Sequence, residues 1–182
     1  MPHLLIAPRI SSFRAAIGNQ LGESILMVCD ANTYNALGKR IASEYASSAM
    51  QILQLETPKA SLQAASAISE KLDAASGILA VGSGTLNDLC KYAAFQKNVP
   101  YAVAATAPSM NGFVSPTASL IPESGQINQS YNAAPPVAVL ADLETLAAAA
   151  PVRLIRSGLG IRSPAPPRRC LVDVPPGAGY AL

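Results

Sequence analysis

Short apolar runs separated by helix-length segments constrain this chain more than any other feature. Ser24-Ile25-Leu26-Met27-Val28-Cys29, Ile78-Leu79-Ala80-Val81, Tyr101-Ala102-Val103-Ala104-Ala105 and Val137-Ala138-Val139-Leu140-Ala141 scarcely alternate with polar residues. A strand with one wet face alternates. A strand that is apolar throughout must be covered on both faces, as strands of parallel sheets are. Gln51-Ile52-Leu53-Gln54-Leu55 alternates like a further strand. Helices are predicted over about residues 34–46, from a Ser61 cap to about Leu72, and from Thr85 to Phe95. Strands alternating with helices predict an α/β fold: a Rossmann-like parallel sheet with flanking helices. A polar stretch before the last run predicts a hairpin around Ser124-Gly125.

Composition narrows the function classes. With 182 residues, half of them apolar, the chain supports one domain with a real core and not two. A net charge of +2 without a basic cluster excludes a nucleic-acid footprint. No apolar run approaches the roughly 18 residues of a membrane span. The start, Met1-Pro2-His3-Leu4-Leu5-Ile6-Ala7-Pro8-Arg9, lacks the basic lead and apolar stretch of a signal peptide. Cys29, Cys90 and Cys170 are odd in number and far apart, so neither a disulfide framework nor a zinc motif is expected. Reduced thiols in the cytoplasm are the expectation. His3 is the only histidine and is expected on the surface of a loose N-terminus. That excludes a Ser-His-Asp hydrolase and a histidine-rich metal site.

Parallel α/β sheets bind ligands at the carboxyl ends of their strands. There the chain carries Val81-Gly82-Ser83-Gly84-Thr85-Leu86-Asn87-Asp88. Two glycines let the backbone turn sharply and approach a ligand, and the following helix N-terminus offers free amides to phosphate oxygens. The competing reading is a tight strand–helix turn in which Thr85 and Asp88 form a capping pair. Asp30 also ends a strand. It is suited either to an adenosine ribose or to capping the next turn, Ala31-Asn32-Thr33.

Larger blocks carry a resemblance. Gly82-Ser83-Gly84-Thr85-Leu86-Asn87-Asp88-Leu89-Cys90-Lys91-Tyr92, Pro100-Tyr101, Thr106-Ala107-Pro108-Ser109-Met110-Asn111-Gly112-Phe113 and Thr117-Ala118-Ser119-Leu120 resemble the sn-glycerol-1-phosphate dehydrogenase family. That family lies within the group of iron-containing alcohol dehydrogenases and dehydroquinate synthases. Val28 to Tyr34, and Ala141-Asp142-Leu143-Glu144-Thr145-Leu146 through Pro151, Arg153 and Leu154 to Ser157-Gly158-Leu159-Gly160, match in order. The resemblance implies an NAD(P)-binding Rossmann-like domain over residues 1–150. Residues 151–160 would begin the hinge to an all-helical domain, with metal and substrate in the cleft between the two. It implies hydride transfer between NAD(H) or NADP(H) and dihydroxyacetone phosphate, giving glycerol 1-phosphate, with a divalent Zn, Ni or Fe polarising the carbonyl. It assigns Gly82, Ser83 and Gly84 to the pyrophosphate and Asp30 to the adenosine ribose. Thr106 and Ser109 would face the nicotinamide, and Asp88 would order that wall. Many relatives have Asp where this chain has Asn111. The amide keeps an orienting carbonyl and loses any basic role. The resemblance also allows a homo-oligomer.

After Gly160 the resemblance stops. The family's metal-ligating Asp is replaced by Ile161, and its two histidine ligands belong to the helical domain, which this sequence lacks. Residues 161–182 hold five of the fifteen prolines, and three arginines against Asp173. On composition this tail is expected to be disordered. A reading-frame shift would explain the switch: one G restored before the codon for Ile161 turns Ile-Arg-Ser into Asp-Ser-Leu. The expectation is therefore a cofactor domain that binds no metal and is inactive alone. The alternatives are a non-catalytic NAD(P)-binding module, or another polyol or alcohol dehydrogenase of the same group.

Overall fold

The computed structural model describes residues 2–46, 49–123 and 126–160. Its eight strands are β1 (His3–Ala7), β2 (Ile25–Asp30), β3 (Met50–Leu55), β4 (Gly77–Gly82), β5 (Tyr101–Ala105), β6 (Thr117–Leu120), β7 (Gln129–Asn132) and β8 (Ala138–Asp142). Six of them form one parallel sheet in the order β1-β8-β5-β4-β2-β3. Every residue of β4 and β5 is buried. The reason is visible along β2. Leu26 and Val28 enter a core with Ile78, Ala80, Val103, Ile68 and Leu89 on one face. Ile25, Met27 and Cys29 enter a second core with Leu79, Val81, Leu140, Phe13 and Ile41 on the other. Two covered faces require the apolar runs the sequence shows. Each fully buried Leu, Ile or Val contributes about 1.5–3 kcal/mol relative to exposure.

The helices supply the two covers. α1 (Phe13–Ile17) lies on one face. On the same face α2 (Ala31–Thr33) continues through a π turn at Tyr34–Gly38 into α3 (Lys39–Ala42). α4 (Leu62–Glu70) and α5 (Gly84–Lys97) lie on the other. α6 (Leu143–Ala149) and α7 (Val152–Gly160) follow β8. Among the described residues no helix is long and apolar enough to cross a membrane.

The expected strands are present to within a residue or two, and Ser61 caps α4 by accepting from the Ala64 amide at 3.2 Å. Two features differ. The N-terminus is not loose: His3 to Ala7 form the edge strand β1, paired with β8. Leu4 and Leu5 pack against the two cores, which gives the segment a reason to order, while His3 stays exposed as expected. The helix predicted from about residue 34 begins at Ala31, because Asp30 is both the end of β2 and a helix cap. β6 and β7 pair antiparallel as a hairpin. Its expected apex at Ser124-Gly125 lies outside the described residues, as do Ile161, Cys170 and the rest of the 161–182 tail.

Strand order fixes where a ligand can sit. From β2 the chain moves outward to β3; from β4, on the other side of β2, it moves to β5. Connections leaving two neighbouring strands in opposite directions open a crevice at their carboxyl ends.

Candidate functional site

That crevice is an open groove of about 1450 Å³. Asp30 to Thr33 line it from β2 and α2, Gln54 to Pro58 from the end of β3, and Ser83, Thr85 and Leu86 from the β4–α5 turn. Thr106 and Ala107 line it from the end of β5, with Pro151, Arg153 and Leu154 from the start of α7.

The turn is built by its two glycines in different ways. A Cβ on Gly82 would lie 2.5 Å from Leu86 Cδ1 and 2.8 Å from Leu86 Cβ, so glycine lets α5 start hard against β4. A Cβ on Gly84 would meet only Met110 Sδ, at 3.6 Å. Packing therefore requires Gly82 and not Gly84. The Thr106 amide donates to the Gly82 carbonyl at 3.1 Å, tying the end of β5 to the turn.

Helix capping distinguishes α5 from its neighbours. Ser12, Asp30, Ser61 and Asp142 each accept a backbone N–H at the start of α1, α2, α4 and α6. Glu44 adds bonds to the amides of Phe13 and Arg14, at 3.0 and 2.8 Å. Among the described residues α5 is the longest helix, yet its N-cap, Ser83, makes no side-chain bond to it. The first amide of α5 with an intrahelical partner is Asn87, bonded to Ser83 O at 2.9 Å. The amides of Gly84, Thr85 and Leu86 have no acceptor among the described residues, at the positive end of a 14-residue helix. The competing capping reading for Thr85 and Asp88 is not realised. The Asp88 carboxylate accepts from the Ser119 amide at 3.2 Å and from Asn87 Nδ2 at 2.9 Å.

Asp30 does cap. Its Oδ1 accepts from the Thr33 amide at 2.8 Å, and the Asp30 amide donates to Thr33 Oγ1 at 2.9 Å. Its Oδ2 has no protein donor among the described residues, so a cap and a ligand contact are compatible. Asp30, Ser83 and Thr106 thus share one groove, while Gly82 and Gly84 flank Ser83 in the turn without lining it. Ser109 and Asn111 lie on the loop after β5, next to Met110 and beside Gly84, and do not line the groove. The α7 helix closes on that loop, with Gly158 against the Pro108 carbonyl. Asp88 is displaced from the groove, on the side of α5 facing β6.

Sequence reasoning did not single out Gln54, Glu56, Thr57 or Arg153. The rule that ligands collect at strand ends points to the first three, because Gln54 stands at the end of the predicted strand Gln51–Leu55 and Glu56 and Thr57 follow it. It also missed Lys91, whose side chain is fully buried. Burial lowers the Lys91 ammonium below its ordinary value, and nearby Asp88 partly offsets this. Burial raises the Asp88 carboxyl above its ordinary value against its hydrogen bonds and Lys91. Burial, with Asp30 beside it, pushes the Cys29 thiol up to about 11, and burial pushes Cys90 up further. Neither thiol supplies a nucleophile. Among the described residues no three His, Cys, Asp or Glu side chains converge to hold a metal ion.

Comparison with known proteins places this geometry. The model of a family described as iron-containing alcohol dehydrogenase matches residues 8–151. A Bacillus velezensis protein named glycerol-1-phosphate dehydrogenase (NAD(P)+) is 32% identical over 146 residues, covering 74% of this chain and 36% of that one. The chain thus spans little more than a third of that relative's length. A glycerol dehydrogenase from Schizosaccharomyces pombe superposes with a TM-score of 0.73 at 23% identity, over 87% of this chain and 41% of its own. A 2-deoxy-scyllo-inosose synthase complexed with carbaglucose-6-phosphate, NAD+ and Co2+ gives 0.68 at 18% identity, over 80% and 43%. At these identities the two structures establish the shared fold.

Proposed function

The chain belongs to the iron-containing alcohol dehydrogenase family, and from that premise we propose that its groove binds NAD(H) or NADP(H) as the cofactor part of a polyol-phosphate dehydrogenase. The observation that carries this is the uncapped start of α5. Three free amides and the helix dipole at a topological switch point suit a diphosphate. In this reading the amides of Gly84, Thr85 and Leu86 hold the pyrophosphate. Asp30 Oδ2 accepts from the adenosine ribose. Thr106 and Ser109 face the nicotinamide, and Asn111 orients a substrate oxygen. Arg153 contributes one positive charge to the groove wall, opposite in sign to Asp30 and Glu56.

Glycerol 1-phosphate is the substrate this reading favours, on the names of the relatives, with dihydroxyacetone phosphate as its two-electron oxidation product. Hydride would pass between the nicotinamide and the carbonyl carbon, with a proton taken up by the oxygen. The reading for the chain by itself is binding. No turnover is expected when it is assayed with Zn2+ or Ni2+.

Ser83→Asp tests the phosphate site. An aspartate at the N-cap would occupy the free amides itself. It is expected to raise stability by roughly 1 kcal/mol in urea unfolding, because it caps a bare helix. It is expected to weaken NADH binding about tenfold or more in calorimetry, because it presents a negative charge where the diphosphate sits. A variant that binds NADH like the wild type would overturn the proposal.

A further inference from the structure

Away from the groove, α5 carries a second set of polar side chains, and their bonds all lead to one segment. Lys91 Nζ donates to the carbonyl oxygens of Gly112 at 2.8 Å and Thr117 at 3.2 Å, and to Ser115 Oγ at 3.3 Å. Its one charged neighbour among the described residues is Asp88, with Oδ1 at 3.9 Å. Asp88 in turn accepts from the Ser119 amide. The Tyr101 hydroxyl donates to Asn87 Oδ1 at 3.1 Å and reaches the Phe113 carbonyl at 3.4 Å. From α5 and β5, this network therefore grips residues 112–119.

Stability is a poor reason for such a design. Desolvating an ammonium costs several kcal/mol, and an apolar side chain of similar volume often replaces a buried charge without loss. What the charge adds is geometry, because three oxygens at fixed places leave the segment one position. The position matters because of what precedes it. Residues 108–111 lead into the gripped segment, and Met110 Sδ sits 3.6 Å from where a Cβ on Gly84 would stand. The loop after β5 thus passes the first residue of α5 at Met110 and is bonded to α5 two turns later by Lys91.

We propose that Lys91 is a positioning residue that fixes the 108–115 loop beside the open end of α5, so that the loop forms the wall receiving the nicotinamide half of the dinucleotide. The inference rests on the dinucleotide reading and adds to it a division of labour. The free amides of α5 hold the diphosphate, and the Lys91-fixed loop supplies the affinity specific to the nicotinamide ring.

ADP-ribose, which lacks that ring, separates the two. Calorimetric titration of wild type and Lys91→Met with ADP-ribose and with NADH gives the test. The wild type is expected to bind NADH about tenfold more tightly than ADP-ribose. Lys91→Met is expected to bind ADP-ribose within about twofold of wild type and to lose the preference for NADH. Lys91→Arg, which keeps the charge, is expected to restore part of it. A preference intact in Lys91→Met overturns the inference alone, and so does an equal loss for both ligands. If the wild type binds neither ligand, the dinucleotide reading falls and takes the inference with it. Should Lys91→Met fail to fold, Tyr101→Phe removes the hydroxyl shared between Asn87 Oδ1 and the Phe113 carbonyl while keeping the ring in the core. It is expected to weaken NADH about threefold and leave ADP-ribose unchanged. An equal effect on both, or on neither, overturns the inference.

Discussion

Asp142 shows how far one buried carboxylate can organise this molecule. It accepts from the Ile10 amide at 2.8 Å, from the Thr145 amide at 2.9 Å and from Thr145 Oγ1 at 2.8 Å, and it pairs with Arg40. One side chain thereby joins the segment after β1, α3 and the cap of α6. Burial alone would raise its carboxyl, but these donors outweigh burial and hold it below the ordinary carboxylate range. A folded value below the unfolded one means stability that is fully present above the unfolded value, about 3.9, and lost as pH falls toward the lowered folded value. Asp142→Asn is therefore expected to cost about 3 kcal/mol in urea unfolding at neutral pH, since it leaves Arg40 and buried donors without their anion. The loss of stability of the wild type as pH falls below about 4 should be shallower in the variant. Equal stability at neutral pH would show that the network is dispensable. None of this was legible from the sequence, because Ile10, Arg40 and Asp142 are brought together only by the sheet. Lys91 escaped for the same reason: its three acceptors belong to a loop whose path sequence patterns do not specify.

At the scale of elements, apolar runs and caps carried most of the information. β2, β4, β5 and β8 were readable because strands covered on both faces leave no room for polar residues. β1 was not, since a short run between Pro2 and Pro8 has no turn signal and gains its order only by pairing with β8. The β4–α5 turn was readable as strand, glycines, helix. Which glycine packing requires and which it leaves open was not, because that depends on where Leu86 and Met110 lie. The two roles predict different variants. Gly82→Ala places a methyl group on Leu86 and is expected to destabilise by about 1–3 kcal/mol. Gly84→Ala meets no tight contact and is expected to hold or raise stability by up to about 1 kcal/mol, while its methyl hinders close approach of a diphosphate. Thermal unfolding with parallel NADH titration checks the pair. Two glycines of equal structural cost would contradict the assignment.

For the molecule as a whole, strand order does what no single residue can. Placing β2 beside β4 brings Asp30 and Ser83, more than fifty positions apart in sequence, to one groove at the carboxyl edge of the sheet. The sequence pattern predicted the edge, and the resemblance supplied the ligand class. The relation of Ser109 and Asn111 to that groove, next to it and not lining it, required the folded chain. The central claim is that the free amides opening α5 hold a diphosphate, and backbone amide NMR reads those groups directly. On titration with NADH, the Gly84, Thr85 and Leu86 resonances are expected to move downfield more than any others. ADP-ribose should reproduce those shifts, since it carries the same diphosphate. Saturating NADH that leaves these three amides unmoved, or moves only residues remote from the groove, would contradict the account.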